Sequence, residues 1–174
     1  DHSFSIPRPE RTISLGIPNA CNRCHADKTP EWSLEAVTKW YGRHEHPPRR
    51  NYAEAIAGGR LGKPEARDPL VAIAHEEEVP AFVRASAVSL LGAYDGSSVD
   101  ESFLRALDDP SELVRSEGVR SLGDRIYQRD PLRGEVVLDD RRARRLLEAL
   151  RDESPLVRQS AALASLNLPD GVFS

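Results

Sequence analysis

The residues with the clearest chemical signature lie near the start of the chain, in the string Cys21-Asn22-Arg23-Cys24-His25. Two thiols separated by two residues and followed at once by an imidazole form the C-x-x-C-H attachment pattern of c-type haem. The thiols can form thioethers with the two vinyl groups of one porphyrin edge, and the next imidazole then offers a neutral nitrogen to the iron. The motif uses both cysteines of the 174-residue chain. We therefore predict a haem c cofactor, attached at Cys21 and Cys24, with His25 as an iron ligand.

Three other interpretations of this Cys/His cluster stay open. A redox dithiol of the thioredoxin type would follow a strand in an α/β unit, and the sequence shows no such unit. A structural zinc site needs four ligands, which Cys21, Cys24 and His25 could complete with His44 or His46. The thiols could also be incidental. A zinc site would make the chain a non-redox interaction module, which is the main alternative to a haem protein.

The segment that carries the motif is rich in proline. Residues 1–30 contain Pro7, Pro9, Pro18 and Pro30. Proline and the residue before it both restrict the backbone, so we expect an extended or irregular arm without a core of its own.

The elements after this arm have helical patterns. Thr29 and Pro30 are typical helix-start residues, and Gly42 can end a helix, so we predict a helix over about residues 30–41. A second, shorter helix should begin near Tyr52 and end at the Gly58-Gly59 pair. Apolar residues close to the motif could line a haem edge or simply anchor their helix: Phe4, Ile6, Trp32, Trp40 and Tyr41.

Three similar stretches follow in the rest of the chain. Each contains a Val-Arg pair, at Val83-Arg84, Val114-Arg115 and Val157-Arg158, which are 31 and 43 residues apart. Each is preceded by an amphipathic stretch and a turn, and we interpret residues 124–140 as an inserted loop that lengthens the second interval. The pattern Asp-x-x-x-x-Val-Arg, present at residues 109–115 and 152–158, resembles the HEAT family of helical repeats. This resemblance implies a mainly α fold, with a short α-solenoid that docks a partner or acts as a scaffold.

A second resemblance covers about the first sixty residues. The stretches Asp1–Pro9, Leu15–Lys28 and Trp32–Gly42 are similar to the last haem-binding segment of multihaem c-type cytochromes, some of which also carry HEAT or tetratricopeptide repeats. The resemblance implies a haem-binding segment at residues 1–62 and helical repeats at 63–174, as the C-terminal part of a longer electron carrier. It also implies that His2 supplies a distal ligand, to this haem or to a neighbouring one.

The composition of the chain limits which residues can be the sixth ligand of the iron. The chain has no methionine, so His/Met ligation cannot be built from its own residues. Among the histidines, His2 is the first candidate, because an extended arm of about twenty residues can fold back over the haem face. His44 and His46 are alternatives that could equally be loop residues, and His75 has the pattern of a surface residue beside acids. Water or a ligand from outside the chain completes the alternatives.

Charge and hydropathy exclude some functional classes. The formal net charge of −4 is the wrong sign for a nucleic-acid binder, and no apolar run approaches the roughly 20 residues of a membrane-spanning helix. The one basic run, residues 141–145, is interpreted as a solvated helix face, with an acidic partner as the alternative. We expect a low-potential electron carrier rather than an enzyme, although haem oxidoreductase activity stays open. Its partners would be other haems of the parent protein and a redox partner, in the periplasm or another extracytoplasmic compartment.

Overall fold

The computed structural model describes residues 7–42, 52–129, 136–166 and 168, which fall into two compact units, Asp1–Glu54 and Ala55–Ser174. The fold is mainly α-helical, as the sequence predicts. The described helices are α1 (Pro9–Leu15), α2 (Ala20–Cys24), α3 (Pro30–Tyr41), α4 (Tyr52–Arg60), α5 (Arg67–Ala74), α6 (Ala81–Leu91), α7 (Ser97–Ala106), α8 (Glu112–Gly123), α9 (Asp140–Ala149) and α10 (Pro155–Ser165), with a 3₁₀ turn at Pro64–Ala66. None of these helices has the length and apolar character needed to cross a membrane. The boundary that the sequence suggests between residues 62 and 63 stays a prediction.

Two short helices interrupt the arm that the prolines predicted to be extended or irregular. Pro9 lies in the first turn of α1, where its missing N–H has no intrahelical partner to lose, and Gly16 ends that helix with a left-handed φ of 68°. Asn19 caps α2 by accepting a hydrogen bond from the backbone N–H of Asn22. A proline in the first turn favours a helix rather than preventing one, which is why the arm is more ordered than expected.

The helix α3 has the predicted bounds. Its first turn is capped by Thr29, whose hydroxyl accepts from the backbone N–H of Trp32 at 3.3 Å, and it ends at Gly42 with φ 77°. The helix packs against α1 within the first unit. Among the described residues of this unit, the buried ones are Pro9, Asn19 and Ser33. The first unit therefore has a small core that includes two polar side chains.

The second unit contains three helical pairs, α5–α6, α7–α8 and α9–α10, at the places that the Val-Arg pattern predicts. The second helices stack in series, because α6 packs against α8 and α8 packs against α10. The apolar faces merge into one continuous core in which Phe103, Leu122 and Leu146 are fully buried. One pair cannot bury its apolar face alone, so stacking is what stabilises the series. This confirms the predicted short α-solenoid.

The helix α4 continues through Gly58 and Gly59 to Arg60, beyond its predicted end. A Cβ atom on Gly59 would lie 2.8 Å from Cδ1 of Leu70, and one on Gly58 would lie 3.0 Å from Cβ of Ala66. The two glycines therefore permit a close approach of α4 to the following elements rather than ending the helix.

The insertion between α8 and α9 is more ordered than the predicted loop. Two antiparallel strands, β1 (Tyr127–Arg129) and β2 (Val136–Leu138), form a small ladder that pairs Tyr127 with Leu138. Ile126, just before β1, is 1% exposed and belongs to the solenoid core. Its carbonyl accepts a hydrogen bond from the backbone N–H of Asp139 at 2.9 Å. The insertion is thus anchored to the core at its base.

Buried arginine-aspartate contacts join successive helical pairs. The Arg84 guanidinium donates from Nε and Nη2 to the carboxylate of Asp109, at 3.1 and 2.7 Å. Arg115 makes the same bidentate contact with Asp152 of the next pair, with both distances at 2.9 Å. We call these two contacts the Arg–Asp rungs. The Nη1 atom of each arginine donates to carbonyls of the turn before its own helix: Glu77 and Val79 for Arg84, and Asp109 and Pro110 for Arg115. The repeated Val-Arg and Asp residues therefore hold the stack together.

Candidate functional site

The C-x-x-C-H motif is built on α2 and the residue that follows it. Cys21 and Cys24 lie three residues apart on this helix, so their side chains lie on neighbouring parts of one face. His25 comes directly after the helix, and its backbone N–H donates to the carbonyl of Cys21 at 2.9 Å. Cys24 and His25 are exposed and Cys21 is half-buried.

A network of polar side chains fixes α2 against its neighbours, and the sequence analysis did not predict it. The Asn19 amide donates to the Thr12 hydroxyl at 2.9 Å and to the side-chain oxygen of Asn22 at 2.8 Å. The same Asn22 oxygen accepts from the hydroxyl of Ser33, on α3, at 2.8 Å, and the Asn22 amide donates to the carbonyl of Lys28. The one available signal was Asn19, a typical N-cap residue directly before the motif. The two residues between the cysteines are therefore not a passive spacer, because Asn22 joins α2 to α3.

The motif residues line one cavity of about 300 Å³ together with apolar residues of α2 and α3. Its wall consists of Ala20, Cys21, Cys24, His25, Trp32, Ala36 and Trp40. The rings of His25 and Trp32 lie 5.0 Å apart between centroids and are tilted by 55°. Trp40 is 68% exposed, so it does not anchor α3 in a core and its ring is available to a ligand. The cavity is apolar apart from the thiols and the imidazole.

The thiols and the imidazole are accessible groups of the types that covalent haem attachment uses. Both cysteines are free thiols, and the His25 imidazole makes no hydrogen bond with any residue that the structure describes. Within the described ranges, no three His, Cys, Asp or Glu side chains converge as a metal site would require. Covalent haem does not need the thiols and the imidazole to converge, because the thiols react at the porphyrin edge while the imidazole reaches the iron.

Of the histidines that could be the sixth ligand, the structure describes only His75, and His75 does not line this cavity. His2, His44 and His46 lie outside the described residues, as do the predicted lining residues Phe4 and Ile6. His75 lies in the second unit, directly after α5, and its buried Nε2 atom has no hydrogen-bond partner among the residues that the structure describes. Burial lowers the pKa of His75, and the charge of nearby Arg105 adds to the effect. His75 is thus a half-buried histidine rather than the surface residue that its acidic neighbours suggested.

Comparison with known families assigns the helical part of the chain. The sequence model of HEAT repeats matches residues 34–123, which span most of α3 and all of α4 to α8. The chain belongs to the HEAT-repeat family. The pair α9–α10 lies beyond the matched residues, but it repeats the Asp-x-x-x-x-Val-Arg pattern and receives the second Arg–Asp rung. No curated protein matches the chain.

The HEAT repeats expose large apolar side chains at one repeated position. Phe82, Leu113 and Leu156 each precede a Val-Arg pair, and they are 65%, 47% and 38% exposed. Because the three helices that carry them stack in series, these residues follow one side of the solenoid. We call them the apolar ridge. Exposed apolar side chains of this kind are found at protein-docking surfaces when they form a continuous patch.

The basic run at the start of α9 is engaged within the HEAT repeats. Arg142 pairs with Asp100 at 2.8 Å and with Asp139 at 3.2 Å, and Arg145 pairs with Asp108 at 2.7 Å. Only part of this basic run is therefore the solvated helix face that the sequence predicts. These arginines join α9 to the previous helical pair, so their charge is largely matched inside the protein.

Proposed function

We propose that the first unit carries a covalently attached c-type haem and that the protein transfers electrons through it. The observation that carries the proposal is that Cys21, Cys24 and His25 line one apolar cavity with Trp32 and Trp40. When bound, the haem iron supplies a one-electron carrier. The established HEAT repeats would hold this unit near its redox partner.

Each residue of the cavity has a defined role under this proposal. Cys21 and Cys24 would hold the porphyrin edge by thioethers, and their positions on one short helix keep the two sulfur atoms on the same side. His25 would ligate the iron, because it directly follows the second cysteine of the C-x-x-C-H motif. Trp32 limits the rotation of the His25 ring by contact, and its indole with that of Trp40 excludes water from the cavity wall.

The sixth ligand is proposed to be a histidine, with His2 as the first candidate and His44 or His46 as alternatives. Two imidazoles give a lower potential than His/Met ligation, because methionine raises it. With a histidine as sixth ligand the iron would have no open position for a substrate, which favours electron transfer over catalysis. The proposed partners are other haems of a multihaem protein and a redox partner protein, in an extracytoplasmic compartment where haem attachment takes place.

Production in a host with extracytoplasmic cytochrome maturation tests the proposal. We expect a red protein that keeps its pigment through acid-acetone extraction and shows a low-spin, six-coordinate spectrum. The variant His25→Ala should lose this spectrum, and the matched control His75→Ala should keep it. A high-spin spectrum in the parent protein would contradict an internal sixth ligand. Colourless protein from that host would contradict the proposal as a whole.

A second candidate function is a non-redox protein-interaction module, and the exposed apolar ridge of Phe82, Leu113 and Leu156 favours it. In that case the Cys/His cluster would hold zinc, with His44 or His46 completing the ligands. Metal analysis of the same preparation separates the two functions. Stoichiometric zinc without pigment would support the module, and covalent pigment without zinc would support the electron carrier.

A further inference from the structure

The segment that carries His25 is a short loop between two helices. Residues 25–29 join α2 to α3, and we call them the motif loop. The loop is held at its start by α2, because the backbone N–H of His25 donates to the carbonyl of Cys21 at 2.9 Å. It is closed as a turn by the backbone N–H of Lys28, which donates to the carbonyl of His25 at 3.1 Å. The position of His25 therefore depends on what holds the other end of the loop.

Asn22 holds that other end. Its side-chain amide donates to the carbonyl of Lys28 at 2.8 Å. Its side-chain oxygen accepts, also at 2.8 Å, from the hydroxyl of Ser33, which is fully buried near the start of α3. The amide of Asn19 donates to the same oxygen. One residue between the two cysteines thus connects α2, the end of the motif loop and α3 through both ends of its side chain.

The same contacts fix the indole that meets the imidazole. Trp32 lies in the first turn of α3, where its backbone N–H donates to the hydroxyl of Thr29, the residue that follows Lys28. The ring of His25 contacts this indole with centroids 5.0 Å apart. Because His25 is exposed and a single ring contact is of modest strength, the direction of the imidazole depends on the backbone that carries it. Asn22 is bound on both sides of this ring contact.

We propose that Asn22 is a positioning residue of the candidate cofactor site: its amide, bound to Lys28, holds the motif loop so that the His25 imidazole stays against Trp32. This role rests on the proposed function, in which His25 is an iron ligand. Groups behind a metal ligand commonly set its orientation in this way. The side chain must donate at one end and accept at the other. Aspartate and leucine have nearly the same size as asparagine, but aspartate when ionised lacks the donor and leucine lacks both groups.

Two substitutions separate the holding of the loop from the joining of the two helices. Asn22→Asp keeps an oxygen for the hydroxyl of Ser33 and removes the donor that the carbonyl of Lys28 binds. Ser33→Ala keeps that donor and removes the contact with α3. Asn22→Leu removes both contacts, and Asn22→Asp keeps the proposal testable if the leucine variant does not fold. The matched control is Arg23→Ala, which changes the exposed neighbour between the two cysteines.

The first readout is nuclear magnetic resonance of the full chain without cofactor. The indole of Trp32 shifts the ring-proton signals of His25, and Trp32→Leu gives their positions without the contact. We expect Asn22→Asp and Asn22→Leu to move these signals more than halfway to the Trp32→Leu positions. Ser33→Ala should lower the melting temperature and leave the signals close to those of the parent chain. The control should change neither.

The second readout uses the chain loaded with haem in a host with extracytoplasmic cytochrome maturation. A ligand ring that is held in several directions broadens the low-spin electron paramagnetic resonance signal of the iron. We expect this broadening in Asn22→Asp and not in Ser33→Ala or Arg23→Ala. Circular dichroism establishes that each variant is folded.

Several outcomes would overturn the proposal. One is a set of His25 ring signals that is the same in Asn22→Asp as in the parent chain, or the same in the parent chain as in Trp32→Leu. Another is a shift in Ser33→Ala or in the control as large as that in Asn22→Asp, because the contact with Lys28 would then not be what holds the loop. Failure of the proposed function gives a different result: the maturation host yields colourless protein, while the signals of the unloaded chain still decide the role of Asn22.

Discussion

Replacing Arg115 with alanine should strongly destabilise the solenoid. The side chains of Arg115 and Asp152 are only 10% and 15% exposed, so the substitution leaves a largely desolvated carboxylate without its counter-ion. Loss of one partner of a buried ion pair costs about 3–5 kcal/mol. The Asp152 carboxylate keeps one hydrogen bond, from the backbone N–H of Ser154, and some contact with solvent. We therefore expect the lower end of that range, a loss of about 3 kcal/mol in the free energy of unfolding.

Urea denaturation of the full chain, followed by far-ultraviolet circular dichroism, measures this loss. For a unit of this size, about 3 kcal/mol corresponds to a fall in melting temperature on the order of 10 °C. Hydrogen exchange should locate the effect, because Arg115 joins α8 to the turn before α10 and its loss should expose the last helical pair first. The control Arg144→Ala removes an exposed arginine that has no ion pair among the described residues, and its effect should stay within about 0.5 kcal/mol.

A double-mutant cycle with Asp152→Asn separates the pair from its surroundings. Each single substitution leaves one group of the pair buried without its partner, so the double variant should lose less stability than the sum of the two single variants. Equal denaturation midpoints for Arg115→Ala and Arg144→Ala would refute the reasoning, since they would show that the rung does not stabilise the stack.

Three further predictions follow from the same structure. Hydrogen bonding from Arg115 lowers the pKa of Asp152 below its ordinary value of 3.8. The contribution of the ionised Asp152 to the free energy of unfolding is therefore complete above that pH and is lost as the pH falls through the lower folded-state pKa. Acid titration of the urea midpoint should show this loss in the parent chain and not in Asp152→Asn. Burial lowers the pKa of His75 from its ordinary value of 6.5. The folded state therefore loses stability as the pH falls from about 6.5 towards the folded-state pKa, because the unfolded chain takes up the proton first. The variant His75→Gln should flatten the pH dependence of the urea midpoint in that range. A Cβ atom on Gly118 would lie 2.8 Å from Cβ of Ala106, so Gly118→Val should overpack α7 against α8 and cost about 1–3 kcal/mol, measured by thermal melting.

The solenoid was predictable because its determinants recur in the sequence. Each of the three Val-Arg pairs marks a second helix, and in two of the repeats an Asp turn marks the start of that helix, so several copies of a weak signal reinforce one another. The insertion between α8 and α9 occurs once and has no such support. Its strands depend on pairing between residues 127–129 and 136–138 and on burial of Ile126, and neither is visible as a helical period.

The reactive residues of the candidate site were predictable from the sequence, and the polar side chains that position them were not. The positions of Cys21, Cys24 and His25 follow from a short motif with a chemical rationale. The contacts that position them depend on Asn22 and Ser33, two polar residues whose partners lie on different elements. Such networks have no characteristic spacing, because they depend on how two helices meet rather than on the period of either one.

Because the core of the first unit is small, the proposed cofactor would also stabilise the fold of this unit. Helices this short are marginal by themselves, and a small unit usually needs a metal, a cofactor or a partner to stabilise its fold. Both Trp32 and Trp40 line the cavity, where Trp32 is half-buried and Trp40 is 68% exposed. A porphyrin attached at Cys21 and Cys24 would bury that surface and tie α2 to α3 along an apolar contact, in addition to the hydrogen bond between Asn22 and Ser33. On the proposed function, attachment of the haem and consolidation of this unit are therefore one coupled process.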